Sequence, residues 1–290
     1  MIIATHNGPF HADDVFACAL LKRFVNRSST VVRTRDQSLI DSADVAVDVG
    51  GIYDPENCRF DHHQNSYEGT KSSVGLVLDW LEQTEQVHPF VAGELRSSLV
   101  DELDDADTNG THSAISLLIW AMNPQWDDEN PKDSATKFNS ALLMADYILR
   151  TTVNVAESKL KASNIMDNLV DFYGGAIVES SEDLPDLAFE ISRRSSQAMF
   201  VIWPASETQW MVQCVPPKND RTSQRLPFPE AVAGLRGEDL EGVVGDLGFD
   251  VNPASPFVHK GRFIGGAATR EGAYALAQFA LASLSAGIEL

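Results

Sequence analysis

Val45-Ala46-Val47-Asp48-Val49-Gly50-Gly51 is an apolar run closed by a carboxylate and two glycines. A short apolar run that ends on a turn signal reads as a buried strand. Two similar runs precede it: residues 1 to 5, and the β-branched stretch Thr30 to Thr34. Between them, Ala12 to Phe24 sets Val15 and Ala19, and Phe16, Leu20 and Phe24, at helical spacing. Strands alternating with helices predict a parallel sheet, so the expected fold class is α/β. Helical patterns follow at Ser73 to Leu81, Phe90 to Leu103 and Ile115 to Met122. The longest runs from Asp133 to Leu169, where Phe138, Leu142, Ala145, Leu149, Val153, Ala156 and Leu160 recur every three or four residues without Pro or Gly. One long helix or two consecutive ones would fit. After a break at Gly174-Gly175 come short β-rich runs at Ala198 to Trp203, Gln209 to Val215, Phe257 to His259 and Arg262 to Ile264. The chain closes with an Ala-rich helix from Arg270 to Leu284, capped by Thr269. The expected organisation is a parallel-sheet domain over 1–150, a helical linker over 151–173 and a smaller α/β domain over 174–290.

At 290 residues and 43% hydrophobic, the chain can bury a sizeable core. No apolar run approaches the roughly 18 residues of a membrane span. The N-terminus lacks a basic n-region and an apolar h-region, so a cytoplasmic location is expected. Cys18, Cys58 and Cys214 are far apart and form no CxxC pair, which argues against a disulfide framework or a structural zinc site. The net charge of −20 repels polyanions at long range and argues against a passive nucleic-acid binder. It leaves a phosphoester substrate open, because bound divalent ions reverse the local field. Acidic runs such as Asp127-Asp128-Glu129 and Glu182-Asp183 read as solvated surface.

Four of the seven histidines, His6, His11, His62 and His63, fall in the first 63 residues. His6 follows the first strand, where ligands bind in an open parallel sheet. His11 and Asp13, two apart in a turn, can converge on one ion; Asp14 reads as an anion in the first turn of a helix. Imidazole plus carboxylate suits manganese or zinc better than magnesium. Asp48, ending its strand, is a candidate bridging ligand. In Asp61-His62-His63, an extended chain would point Asp61 and His63 one way and His62 the other. One histidine then binds metal, the other meets substrate or acts as an acid, and Asp61 orients an imidazole. Asp104 and Asp107 share a helix face, and one of them would complete a second ion's shell. Near the C-terminus, His259, Lys260, Arg262 and a Gly265-Gly266 turn before a helix are candidates for holding an oxyanion, as is Lys71. Trp203, Trp210 and Phe263 offer faces for base stacking, with core packing the plainer reading.

Together these segments resemble a known family. His6-x4-His11-x-Asp13, Asp48-Val49-Gly50, Asp61-His62-His63 and a downstream Asp are similar to the four ordered motifs of the DHH phosphoesterase superfamily. More closely, Thr5 to Asp13, Asp48 to Gln64, Gly234 to Arg236, Phe257 to Gly266 and Thr269 to Ala273 resemble the melanocyte proliferating gene protein family, also described as uncharacterised metal-dependent hydrolases. The resemblance spans most of the chain. It implies a DHH-type catalytic domain with two divalent ions, usually manganese with magnesium or zinc as alternatives, and a C-terminal domain that binds substrate. It also implies 3′-to-5′ exonuclease activity on RNA or short oligonucleotides. His6, His11 and Asp48 would hold the first ion; Asp13, Asp48, His62 and a motif-four Asp would hold the second. His63, Asp61 and Arg262 would serve catalysis. Motif four reads Asp104-Asp105-Ala106-Asp107-Thr108-Asn109-Gly110, one residue longer than the family's Asp-x-x-Asp-Asn-Gly. Asp107 is favoured as the ligand because Asp-Thr stands there in other members of the superfamily, with Asp104 as the alternate. A pyrophosphatase, a small-nucleotide phosphatase or a non-catalytic metal-binding protein are the rival functions. No membrane partner is expected, and a homodimer is compatible with the sequence.

Overall fold

The computed structural model describes residues 1–127, 134–173, 175–251 and 256–286, so Asp128, Glu129, Asp133 and Gly174 lie outside the described residues. The chain is a mixed α/β protein with two five-stranded sheets, and it divides into two units, Met1–Leu160 and Lys161–Leu290.

In the first unit the strands are β1 (Ile2–Thr5), β2 (Thr30–Arg33), β3 (Val45–Val47), β4 (Tyr53–Asp54) and β5 (Arg59–Phe60), in the order β2-β1-β3-β5-β4. The pairings β1–β2, β1–β3 and β3–β5 are parallel, and only β4 runs against its neighbour. After β1 the chain crosses to one side for β2, then returns across β1 to lay down β3. The sheet therefore has a switch point between the carboxyl ends of β1 and β3, where open α/β sheets form their ligand crevice. His6 and Asp48 are the first residues beyond those two strands.

Among the described residues the helices of this unit are α1 (Ala12–Phe24), α2 (Gln37–Ser42), α3 (Ser73–Gln83), α4 (Pro89–Leu95), α5 (Asp101–Thr108), α6 (Ala114–Ala121) and the part of α7 (Ser134–Tyr173) up to Leu160. A π-helical turn, Arg96–Val100, joins α4 to α5 and carries the helix past the expected Leu103 end. In α1 every residue from Ala12 to Leu21 is buried. Its Val15, Phe16 and Leu20 share one core with Val74, Val77, Leu78 and Leu81 of α3 and with Phe138, Ala141, Ala145, Leu149 and Val153 of α7. Where the sequence pattern over 133–169 allowed one helix or two, the described residues form a single 40-residue helix, Ser134–Tyr173. Asp13 and Asp14 are carried into the interior on α1, and charges so buried need partners.

The second unit has β6 (Ile177–Glu179), β7 (Phe200–Ser206), β8 (Gln209–Cys214), β9 (Phe257–Val258) and β10 (Ile264–Ala267), in the order β6-β7-β8-β10-β9. The β-rich runs on either side of Pro204 to Thr208 become β7 and β8, which pair antiparallel as a hairpin. Its helices are α8 (Leu187–Arg194), α9 (Gly237–Gly245) and α10 (Arg270–Ala286). α10 packs Leu276 and Phe279 against Phe200, Ile202 and Val212, and the Thr269 hydroxyl accepts the Gly272 N–H at 3.1 Å, as an N-cap should. Gly265 and Gly266 lie in the middle of β10, not in a turn. A Cβ at Gly265 would stand 2.7 Å from the Phe257 carbonyl oxygen, and one at Gly266 2.9 Å from that of Trp210. Close approach of the strands explains both glycines. Among the described residues no helix is long and apolar enough to cross a membrane.

Candidate metal centre

His6 emerges from β1 almost fully buried, with Nε2 3.3 Å from both Asp14 Oδ2 and Asp48 Oδ2. Burial lowers its pKa, but bonds to Asp14 and Asp48 overcome this and raise it to about 9. Asp14, read from the sequence as a helix-end anion, is thus a partner of His6. Its Oδ1 also accepts the His11 N–H at 2.9 Å, forming a capping box at the start of α1.

Asp48 does not end a strand in extended form. β3 stops at Val47, and Asp48 takes a left-handed backbone with φ of 56°. Asp tolerates that region better than most residues, and non-glycine residues held there cluster at functional sites. The turn brings the Asp48 carboxylate among His6, His62 (3.6 Å to Nδ1) and His63 (3.4 Å to Nδ1).

The chain leaves the sheet after Phe60, so strand alternation does not apply to Asp61-His62-His63. Both imidazoles turn the same way, with ring centroids 4.3 Å apart. Asp61 Oδ2 accepts the Gly51 N–H at 2.6 Å, and Oδ1 lies 2.8 Å from His63 Nδ1. Burial raises the Asp61 pKa, yet the bonds from His63 and Gly51 bring it down to about 2. The bond from Asp61 in turn raises that of His63, whose side chain stays 60% exposed. His62 Nε2 meets Asp107 Oδ2 at 2.8 Å.

Asp104 and Asp107 share no surroundings. Asp107 lies between His62 and His11, 3.5 Å from His11 Nδ1, and these bonds hold its pKa low against burial. Asp104 turns away. Its Oδ1 accepts the Ser72 N–H (2.9 Å), the Ser72 hydroxyl (2.7 Å) and the Gly75 N–H (3.2 Å). It caps the N-terminus of α3 from another helix, and burial pushes its pKa up to about 6.

Among the described residues two groups each bring their donor atoms within 4.8 Å of one another: Asp48, Asp61, His62 and His63 form one, and His11, Asp13 and Asp107 the other. The structure thus groups His11 with Asp13 and Asp107. A divalent cation fits this donor set on a specific observation. Both carboxylate oxygens of Asp13 are buried without a hydrogen-bond partner, as is His6 Nδ1. Burial, then the charges of Asp48, Asp107 and Asp14, drive the Asp13 pKa well up. A buried carboxylate among three others is stable as an anion only beside a cation.

Two residues that the sequence reading passed over belong here. Ser73 Oγ donates to the Phe60 carbonyl (2.9 Å), lies 3.2 Å from Asp48 Oδ1 and 3.3 Å from His62 Nδ1, and so ties α3 to both loops. Arg35 lines the cleft of about 510 Å³ in front of His6, Asp48 and His63, and makes no ion pair among the described residues. A polar serine and an exposed arginine give no periodic signal in sequence. Lys71 is held by Asp79 at 2.5 Å. In the second unit, His259 Nδ1 accepts the Gly261 N–H at 2.9 Å. Arg262, with φ of 59°, reaches the Phe228 carbonyl and Glu230 Oε2, each at 3.3 Å, while Lys260 is exposed. Trp203 is core, and Trp210 packs against core.

The MYG1 exonuclease family model, described as "Uncharacterised protein family (UPF0160)", matches residues 2–88 and 89–281. The chain belongs to the MYG1 family. It is 32% identical to the MYG1 exonuclease of Homo sapiens over 98% of this chain and 86% of that protein. MYG1 proteins of Chlamydia pneumoniae (32% identical, 90% of each chain) and Dictyostelium discoideum (30%, 96% of this chain and 95% of that one) are similarly related. No solved structure matches this MYG1 family member.

Proposed function

We propose that the chain is a metal-dependent phosphodiester hydrolase of DHH type, a 3′-to-5′ exonuclease acting on RNA or short oligonucleotides. The relatives named exonucleases support a nuclease. The observation that carries the reading is the unpartnered, buried Asp13 carboxylate, grouped with His11 and Asp107 and close to the charges of Asp48 and Asp14, at the switch point of the sheet. His6, His11, Asp13, Asp48, His62 and Asp107 would hold two divalent ions, with manganese favoured by the mixed nitrogen and oxygen donors. Ions so held supply an activated water and neutralise charge on the phosphate. The chain's own residues do the rest. Asp61, pinned by Gly51, fixes the His63 tautomer and keeps a proton available on an exposed imidazole, which can donate to a phosphate or leaving oxygen. Arg35 faces the same cleft and can clamp phosphate oxygens. Arg262, Lys260, His259, Lys71, Gly265 and Gly266 remain substrate-side candidates, with Lys71 engaged to Asp79 and the two glycines closing a strand.

The test is metal-loaded turnover of RNA oligomers labelled at either end, dinucleotides and pyrophosphate. Stepwise shortening from the 3′ end is expected. Asp48→Asn keeps a residue that tolerates φ of 56° and should lose activity by about a hundredfold or more. Full manganese-dependent activity in that variant, or turnover of pyrophosphate alone, would sink the reading.

A further inference from the structure

Beside the ion cleft lies a second cavity, of about 340 Å³, with mostly apolar walls. His11, Asp13 and Asp107 form one side of it; Leu103, Ala106 and Trp120 form much of the rest. Trp120 and His11 line both this cavity and the cleft holding His6, Asp48 and His63. Their rings stand 5.5 Å apart and 34° from parallel, so the indole divides the two spaces. Trp120 is 49% exposed, an unusual outlay of aromatic surface on a helix, α6, whose sequence is almost wholly apolar. His112 lines the same cavity, and its ring nitrogens have no protein partner among the described residues.

We infer that this cavity seats the terminal nucleobase of the substrate, with the Trp120 indole as its stacking face and His112 at its polar edge. The inference rests on the phosphodiesterase reading, and it names how that site takes its substrate. A phosphate over the carboxylates has its sugar and base within reach of the adjoining space. The volume, near the lower end of ligand cavities at about 300 Å³, admits one nucleoside rather than a stacked pair. Stacking on an aromatic face is indifferent to base identity, as an exonuclease that advances along any sequence requires. In a chain of charge −20 it also supplies affinity that surface electrostatics cannot.

The experiment compares kcat/KM of the metal-loaded full chain on oligonucleotides whose terminal nucleotide carries, or lacks, its base. Wild type should favour the intact end by about tenfold or more, Trp120→Ala should erase that preference, and Trp120→Phe should restore much of it. Leu118→Ala, on an exposed residue of α6 outside the cavity, should leave the preference unchanged. In parallel, adenosine monophosphate should quench tryptophan fluorescence in wild type and not in Trp120→Phe, whereas ribose 5-phosphate should quench neither. If no phosphoester is turned over but this quenching holds, the functional reading fails and the base site stands. If oligonucleotides are hydrolysed and the losses from Trp120→Ala and base removal simply multiply, the base site is overturned. Leu118→Ala matching Trp120→Ala, with a shift in sedimentation, would likewise overturn it and make the α6 face a protein contact.

Discussion

Asp104 and Asp107 are three residues apart on α5, and the sequence could not fully separate them, because both are acids at the same helical spacing. Their partners separate them. Asp107→Asn should lower metal-dependent activity by about a hundredfold with little change in melting temperature, as expected for a metal ligand. Asp104→Ala should instead lower stability by about 2 kcal/mol, since it strands the Ser72 and Gly75 N–H groups. Asp104→Asn keeps the accepting oxygen and separates cap from charge. The folded-state pKa of Asp104 is raised from 3.8 to about 6, so the native state holds a proton that the unfolded chain has released. Native stability from this group is therefore present at low pH and lost as pH rises from about 4 to about 6. Urea midpoints should show wild type falling relative to Asp104→Asn across that window; parallel curves would refute the assignment. Asp13 tests the cation argument from the other side. Asp13→Asn removes a buried, unpartnered charge, so chelator-treated protein should melt higher than wild type, while the rise on adding manganese shrinks. A lower melting temperature without metal would count against the crowding.

Helix α3 shows how elements fix the site. Its N-terminus is capped by Asp104 of α5, and its Ser73 bonds the loops after β3 and β5, so three segments bearing candidate ligands are locked through one helix end. Gly75 makes this possible, because a Cβ there would fall 2.1 Å from Asp104 Oδ2. Glycine to alanine inside a helix ordinarily stabilises by up to about 1 kcal/mol. Gly75→Ala should do the reverse and destabilise by about 1–3 kcal/mol, with lowered metal affinity as the cap and Ser73 shift. Chemical denaturation with metal titration checks both, and a stabilised variant would contradict the packing. Much at this scale was legible in sequence. Buried strands and helices announce themselves by apolar period, which is why Val45 to Val47 and the seam from Phe138 to Val153 read correctly. What failed was local backbone geometry. The left-handed turn at Asp48, the side-by-side turn of His62 and His63, and the strand around Gly265-Gly266 depend on contacts with distant segments, and no spacing rule carries them. Trp120 was missed for a related reason: in α6 an apolar run reads as core, and only the fold shows which of its faces stays open.

For the whole molecule, the strand-bearing runs and the family relationship followed from apolar patterning and motifs. The sequence sets its first boundary at 150/151, whereas the two units divide at Leu160 and Lys161, both within α7, because its apolar seam runs on without Pro or Gly and marks no break. The property that most constrains function at this scale is net charge. A nuclease that grips its substrate through a basic surface loses affinity steeply with salt, because each neutralised phosphate releases counterions. Here the chain carries −20, and phosphate contact would fall to the ions and to few cations such as Arg35. The long-range field opposes the approach of a polyanion, and salt screens that repulsion once the Debye length drops from about 30 Å at 0.01 M to about 8 Å at 0.15 M. Screening should therefore speed encounter while weakening only a few short-range contacts. With manganese saturating, kcat/KM on a short RNA should stay level or rise between about 0.01 and 0.15 M monovalent salt, and the gain should be larger for longer oligomers, which carry more charge into the field. A dinucleotide, with a single internal phosphate, should respond least. A fall of tenfold or more over that range would mean that a basic surface, not the ion centre, holds the substrate.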